Sequence, residues 1–125
     1  MNERSIRSLS LSTIALARQF GIRVTAEQVE EKISRGHISS KNDLEQTFKE
    51  QGIKLQYLKP SLRTLIERSY YFPCVAILRD GTSRILISCK VNDENIAEFQ
   101  TIDPLDPTNK VVVENETEFK STWNG

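Results

Sequence analysis

The chain has 125 residues, of which 38% are hydrophobic, and its 17 basic and 17 acidic side chains give a formal net charge of zero. This length supports one hydrophobic core and is too short for two ordinary domains. The balanced charge argues against a nucleic-acid partner. The sequence also lacks an apolar run long enough to cross a membrane and the apolar centre of a signal peptide, so we expect no membrane insertion.

The first predicted element is a core helix over residues 8–21. Its apolar side chains, among them Leu16 and Phe20, are spread all round the helix, and this pattern is typical of a buried helix. Ser8 and Ser10 are expected to cap its start, and a glycine ends it. A helix that begins at small hydroxyl residues leaves room and positive dipole there, so a cleft over Ser8 is reasonable. The alternative is that these serines only cap.

Three shorter helices and one short strand follow. A capping box that begins at Thr25 predicts the start of the second helix, Ser40 caps the third, and Pro60 introduces the fourth. Alternating apolar and polar residues between the third and fourth helices predict a half-buried strand. The predicted helices cover residues 25–33, 41–51 and 61–68, and the strand covers residues 53–58.

From Tyr71 onward the pattern is that of β-structure. Asp80 and Gly81 predict a tight turn that joins two antiparallel strands, and we expect this hairpin to be central in the sheet. Further turn residues and a proline-bounded loop separate two more strands. The four strands are predicted at residues 72–78, 83–91, 96–102 and 110–114.

A closing helix is predicted at the C-terminal end. Asn115 or Thr117 would cap it, and its apolar face would bury Phe119 and Trp123. Helices come first along the chain and strands second. This order predicts an α+β fold, with a helical half packed on a C-terminal antiparallel sheet.

The two cysteines and the single histidine are the residues with potential for thiol or metal chemistry. Cys74 and Cys89 lie within predicted strands and have no nearby histidine in the sequence. We therefore expect reduced core or near-core thiols, with no disulfide framework, no metal site and no cofactor. His37 is the only histidine, and we expect it in a solvated turn between the second and third helices.

The order and spacing of these parts resemble a known family. The motifs that carry the likeness are LARQFGIRVTAEQV at residues 16–29, Asp43-Leu44 leading to Gly52, VAILRDG at residues 75–81, and Ile102-Asp103-Pro104. Together they resemble the papain-like bacteriocin-processing cysteine peptidase domain of certain ABC exporters. The likeness is greatest to its catalytically inactive relative in RTX (haemolysin-type) type I secretion transporters. This resemblance implies a papain-like fold, and it implies that residues 1–125 are the N-terminal domain of a longer exporter, on the cytoplasmic side of the bacterial inner membrane.

The resemblance also implies where the family's catalytic positions fall. The nucleophilic cysteine of active relatives corresponds to Ser8, and the general-base histidine to Ser83, or to Arg84 with a shift of one residue. The aspartate before proline corresponds to Asp103, and the oxyanion-hole glutamine falls near Asn2. A serine hydroxyl without a neighbouring base is a poor nucleophile, so we expect no peptidase activity.

A peptidase fold that lacks its catalyst still keeps a groove for extended polypeptide. The resemblance implies that the domain holds an unfolded RTX-type secretion substrate, in a groove that passes Ser8, Leu78, Arg79, Ser83 and Asp103. Asp103 could equally initiate a turn, and Leu78 could equally belong to the core. Two other functions stay open. One is an adaptor that docks on the exporter's own ATPase domain. The other is an active leader peptidase, and the absence of cysteine at position 8 and of histidine at position 83 argues against it.

Overall fold

The computed structural model describes residues 2–68 and 71–123. Helices dominate the first half of the chain and a four-stranded antiparallel sheet the second, which confirms the expected α+β class. The helices are α1 (Glu3–Gln19), α2 (Ala26–Ser34), α3 (Lys41–Glu50), α4 (Leu62–Glu67) and α5 (Glu116–Thr122). The strands are β1 (Cys74–Ile77), β2 (Ser83–Val91), β3 (Ala97–Ile102) and β4 (Val111–Asn115). Within the described ranges, no helix is long and apolar enough to cross a membrane.

The sheet has the strand order β1-β2-β3-β4, so β1 and β4 are its edges. The predicted hairpin exists and turns at Asp80 and Gly81, where the Asp80 carboxylate accepts the Thr82 N–H at 2.9 Å and Gly81 has a φ of +88°. Its central placement was wrong for one strand, because β2 is internal whereas β1 pairs on only one side. Among the described residues, the outer edge of β1 is therefore open at Val75, and just past the strand Leu78 forms a bridge with Trp123 on that side.

Two hydrophobic clusters form the core. The first joins α1, α2 and α3 around the fully buried Leu44 and Phe48. The second joins the sheet to α4 and α5 and contains Phe99 stacked on Phe119, with ring centroids 4.4 Å apart. Alternate residues of β1 pack against the two clusters, Val75 on the first and Ala76 in the second. This strand therefore connects the two halves of the core.

Helix α1 begins earlier than its serines suggested. The Asn2 side chain accepts the Ser5 N–H at 2.8 Å and caps the helix, which starts at Glu3. The prediction that Ser8 and Ser10 cap the start was wrong, because both lie inside the helix and are buried. The expected room and positive dipole at Ser8 are consequently absent, since these belong to a helix end.

Helix α1 also has an exposed side, contrary to the prediction of a helix buried all round. Phe20 is 62% exposed and Leu11 is 42% exposed, and Leu16 is only partly buried. The buried side carries small hydroxyl residues, including Ser8 and Ser12 at 0% exposure. Small side chains allow a helix backbone to approach a sheet closely, so apolar residues alone did not identify the buried face.

Residues 53–58 do not form the predicted strand. Ile53 is buried directly after α3, but the residues from Lys54 to Pro60 have no regular secondary structure. An alternating segment becomes a strand only where a neighbouring strand offers hydrogen-bond partners, and no strand in the described parts pairs with this one. Tyr57 and Leu58 are exposed as a result.

The local signals at the other helix starts gave mixed results. Ser40 accepts the capping N–H bond expected of it, and Asn115 forms a capping box with Glu118. Ser61, directly after Pro60, also caps α4, although no cap was predicted there. Thr25 precedes α2, but its side chain makes no capping hydrogen bond, so the capping box predicted there was wrong. At the C-terminal end Phe119 is buried as predicted, whereas Trp123 is partly exposed.

Candidate functional site

Ser8 and Ser83, the residues placed by resemblance at the nucleophile and base positions, are in direct contact. The Ser83 N–H donates to the Ser8 Oγ at 2.7 Å, and the two hydroxyl oxygens are 3.1 Å apart. The Ser12 hydroxyl lies one turn further along α1 and is 2.7 Å from the Ser83 Oγ. All three side chains have 0% exposure. The site is therefore a closed hydroxyl cluster between α1 and the start of β2.

Asp103 is connected to this cluster through Arg84. The Arg84 guanidinium donates to the Ser83 carbonyl at 3.1 Å and lies 3.5 Å from an Asp103 carboxylate oxygen. That same oxygen accepts the Leu105 N–H at 2.9 Å. Asp103 thus has the turn role that was one alternative, and it also lies in the chain of contacts that includes Ser83.

The arrangement can donate and accept hydrogen bonds but contains no base for the Ser8 proton. The Arg84 guanidinium, which offers hydrogen-bond donors and no acceptor, lies next to the Asp103 carboxylate. Ser8 lies more than one turn inside α1, where backbone N–H groups are used by the helix itself. Asn2 is about 9 Å away along the helix axis at 1.5 Å per residue, and its side chain caps the helix instead. The expected match of Asn2 to the oxyanion-hole glutamine is therefore not supported by the geometry.

The residues expected along the groove differ in accessibility. Leu78 is 5% exposed and its N–H donates to the Thr82 carbonyl, so it is a core residue at the turn. Arg79 and Asp103 can be reached from solvent. Direct contact of a bound chain with Leu78 stays a prediction, and contact with Ser8 or Ser83 stays a prediction that would require α1 to separate from β2.

The cysteines and the histidine lie apart from the hydroxyl cluster. Burial raises the pKa of Cys74 to about 11, and burial followed by the Glu116 charge raises the pKa of Cys89. Both are free thiols. His37 is exposed in the turn after α2, as predicted. Over residues 2–68 and 71–123, no group of three or more His, Cys, Asp or Glu side chains could hold a metal ion.

A groove that sequence reasoning missed lies between α1, β1 and the irregular residues 54–60. Its volume is about 550 Å³, and its α1 wall consists of Leu9, Thr13 and Leu16. Further lining residues, among them Leu65, Leu86 and Trp123, come from other parts of the chain, so no local pattern could reveal the groove. The available signal was the strand-like alternation of residues 53–58, a segment that forms one wall and has no strand partner.

Comparisons with family models, curated proteins and solved structures gave no match.

Proposed function

We propose that this chain is a non-catalytic peptidase-like domain that binds the unfolded RTX-type substrate of a type I secretion ABC transporter. In this role it tethers the substrate to the transporter on the cytoplasmic side of the bacterial inner membrane. The observation that carries the proposal is the contact of Ser8 with Ser83, which are 75 residues apart in the chain. The family resemblance assigns these two positions to a nucleophile and its base, which must be neighbours in any active relative.

The chemistry at these positions supports binding without catalysis. Hydroxyl groups stand where a thiol and an imidazole would be needed, and they bond to one another in a closed cluster. Binding of extended polypeptide depends on backbone pairing and side-chain pockets, which need no catalytic group. A domain that lost its catalyst can therefore keep the capacity to hold a chain.

The test is a calorimetric titration of the 125-residue chain with an RTX-type secreted protein in two states. One sample is kept unfolded by chelating calcium, and the other is folded with calcium. We expect binding to the unfolded state only, and weak affinity, because ordering a disordered segment offsets much of the contact energy. A reduced and alkylated protein that is not secreted serves as a matched unfolded control.

Two results would overturn the proposal. Equal binding to both states, or to the unrelated unfolded control, would show that the chain is no receptor for this substrate. Binding to the ATPase domain of an exporter, with no binding to the secreted protein, would favour the adaptor function instead.

A further inference from the structure

We propose that the groove beside β1 binds an acidic, extended polypeptide segment as an added β-strand. This inference rests on the proposed function and deepens it, because it names the surface that holds the substrate and the chemistry of the segment held. The evidence comes from the open edge of β1, from the shape of the groove and from its charge.

The outer edge of β1 has unused backbone groups. The Leu78 N–H donates to the Thr82 carbonyl across the hairpin, and hydrogen bonding alternates along an antiparallel pair. Odd-numbered residues of β1 therefore direct their backbone groups away from β2. The Arg79 N–H follows this rule and donates outward to the Thr122 carbonyl. The outward N–H and C=O of Val75 have no backbone partner in the described parts of the chain, so the edge is open there.

The groove runs along this open edge. All four residues of β1 line it, although successive side chains of a strand point to opposite faces, so the groove must follow the strand's edge. The opposite wall is formed by residues 54–60, which belong to no sheet. Four strand residues span about 13 Å, a length that allows a short extended peptide to pair with β1.

The charged residues that line the groove are lysines, and they favour an acidic occupant. Lys41, Lys54 and Lys59 line it, and no aspartate or glutamate is among its described lining residues. Lys54 and Lys59 are exposed and form no ion pair within residues 2–68 and 71–123. Burial and then the Glu45 charge raise the pKa of Tyr57 on this wall, but Glu45 lies outside the lining. A positive rim of this kind favours acidic segments.

The other edge of the sheet, at β4, is not lined by charges of one sign. Strand β4 exposes Val111, Val112 and Val113, and the residues that flank these valines carry opposite charges, Lys110 and Glu114. An apolar edge of mixed charge does not define an occupant. The lysine-lined groove at β1 is therefore the site that the observations favour.

The experiment follows backbone amide shifts of the 125-residue chain during titration with a synthetic peptide in which valine alternates with aspartate or glutamate. We expect shifts at Val75, Ile77 and Leu55. A peptide of the same pattern with lysine in place of the acids should bind at least roughly tenfold more weakly. Strand pairing is tested with two N-methylated copies of the acidic peptide. In each copy, N-methyl groups block the backbone N–H groups along one edge of the peptide. The copy whose blocked edge faces β1 should lose binding, and the other copy should keep it.

A charge-reversal variant tests the lysine rim. Lys54→Glu with Lys59→Glu should weaken binding of the acidic peptide at least roughly fivefold, and added salt should reduce the difference. Both side chains are exposed, so folding should be unchanged. Lys49→Glu is the matched control, because Lys49 is exposed on α3 and does not line the groove.

Failure of this inference can be told apart from failure of the proposed function. If the unfolded secreted protein binds but shifts only residues near Arg79 and Asp103 or along β4, the groove inference is wrong and the proposed function stands. If the acidic peptide binds in the groove but the secreted protein does not, the proposed function fails. Absence of groove shifts with every probe, or equal binding of the acidic and lysine peptides, would overturn the inference itself.

Discussion

At the scale of single residues, Ser8, Ser12 and Ser83 form a buried contact between α1 and the start of β2. A buried hydroxyl needs a partner, and here each serine provides one for another across the boundary between α1 and β2. Among the described residues, no buried side-chain oxygen or nitrogen lacks a hydrogen-bond partner. The three serines therefore hold the first helix against the sheet, a structural role that the sequence pattern assigned to apolar side chains.

Introducing the catalytic pair of the peptidases that the sequence resembles should not produce cleavage. We expect Ser8→Cys combined with Ser83→His to leave a double-glycine leader peptide uncut, because position 8 is fully buried inside α1, where a peptide carbonyl cannot reach the new thiol. The larger imidazole at a position with 0% exposure should also lower the free energy of unfolding by about 1–3 kcal/mol. Mass spectrometry of the peptide and urea unfolding measure the two effects. Cleavage above the level of the unmodified chain would contradict the prediction.

The Cys74 thiol should react slowly in the folded chain. Its pKa is raised to about 11 by burial, so little thiolate is present at pH 8. We expect alkylation by iodoacetamide to be at least roughly tenfold slower than in the urea-unfolded chain, measured by mass spectrometry on a Cys89→Ser variant. Because the folded-state pKa is raised, the stability from the protonated thiol is complete below about pH 9 and is lost as the pH rises through about 11. Equal alkylation rates in both states would show an accessible thiolate.

At the scale of elements, local signals could be predicted and non-local ones could not. Ser40 and Asn115 cap their helices as predicted, because capping depends on residues within one turn. The segment at residues 53–58 has the alternation of a strand, but pairing depends on a partner from elsewhere in the chain. Helix α1 was expected to be buried all round but has one exposed side, and its contact with β2 uses small polar residues that hydrophobic periodicity does not count.

The two sides of α1 should differ sharply in their contribution to stability. Ile14 is 4% exposed and lies in the first cluster, so Ile14→Ala should lower the free energy of unfolding by about 2–5 kcal/mol through the cavity it leaves. Phe20→Ala should change it by less than about 0.5 kcal/mol, because that ring is 62% exposed. Urea unfolding followed by circular dichroism measures both, with Leu11→Ala as a second exposed control. Similar losses for Ile14→Ala and Phe20→Ala would show that α1 is buried all round.

At the scale of the whole molecule, contacts between residues that are distant in the chain could be predicted only from the family resemblance. That likeness paired position 8 with position 83, and the structure brings the two serines into contact. The lysine-lined groove could not be predicted, because its walls come from α1, β1 and residues 54–60, and only the assembled fold brings them together. The open edge of β1 depends on the strand order of the sheet, whereas the sequence pattern had predicted only that the hairpin of β1 and β2 is central.

The two clusters of the core should unfold together. Val75 and Ile77 of β1 pack against the first cluster, which contains α1 to α3, and Ala76 belongs to the second cluster, which contains the sheet. Because β1 contributes to both clusters, unfolding of one exposes apolar residues of the other. Trp123 is the only tryptophan and packs against the sheet cluster, whereas most of the helical signal comes from the first half of the chain. We expect urea unfolding curves from Trp123 fluorescence and from far-ultraviolet circular dichroism to coincide. Ile14→Ala should then shift both curves equally. A fluorescence transition at a lower urea concentration than the circular dichroism transition would show that the halves unfold independently.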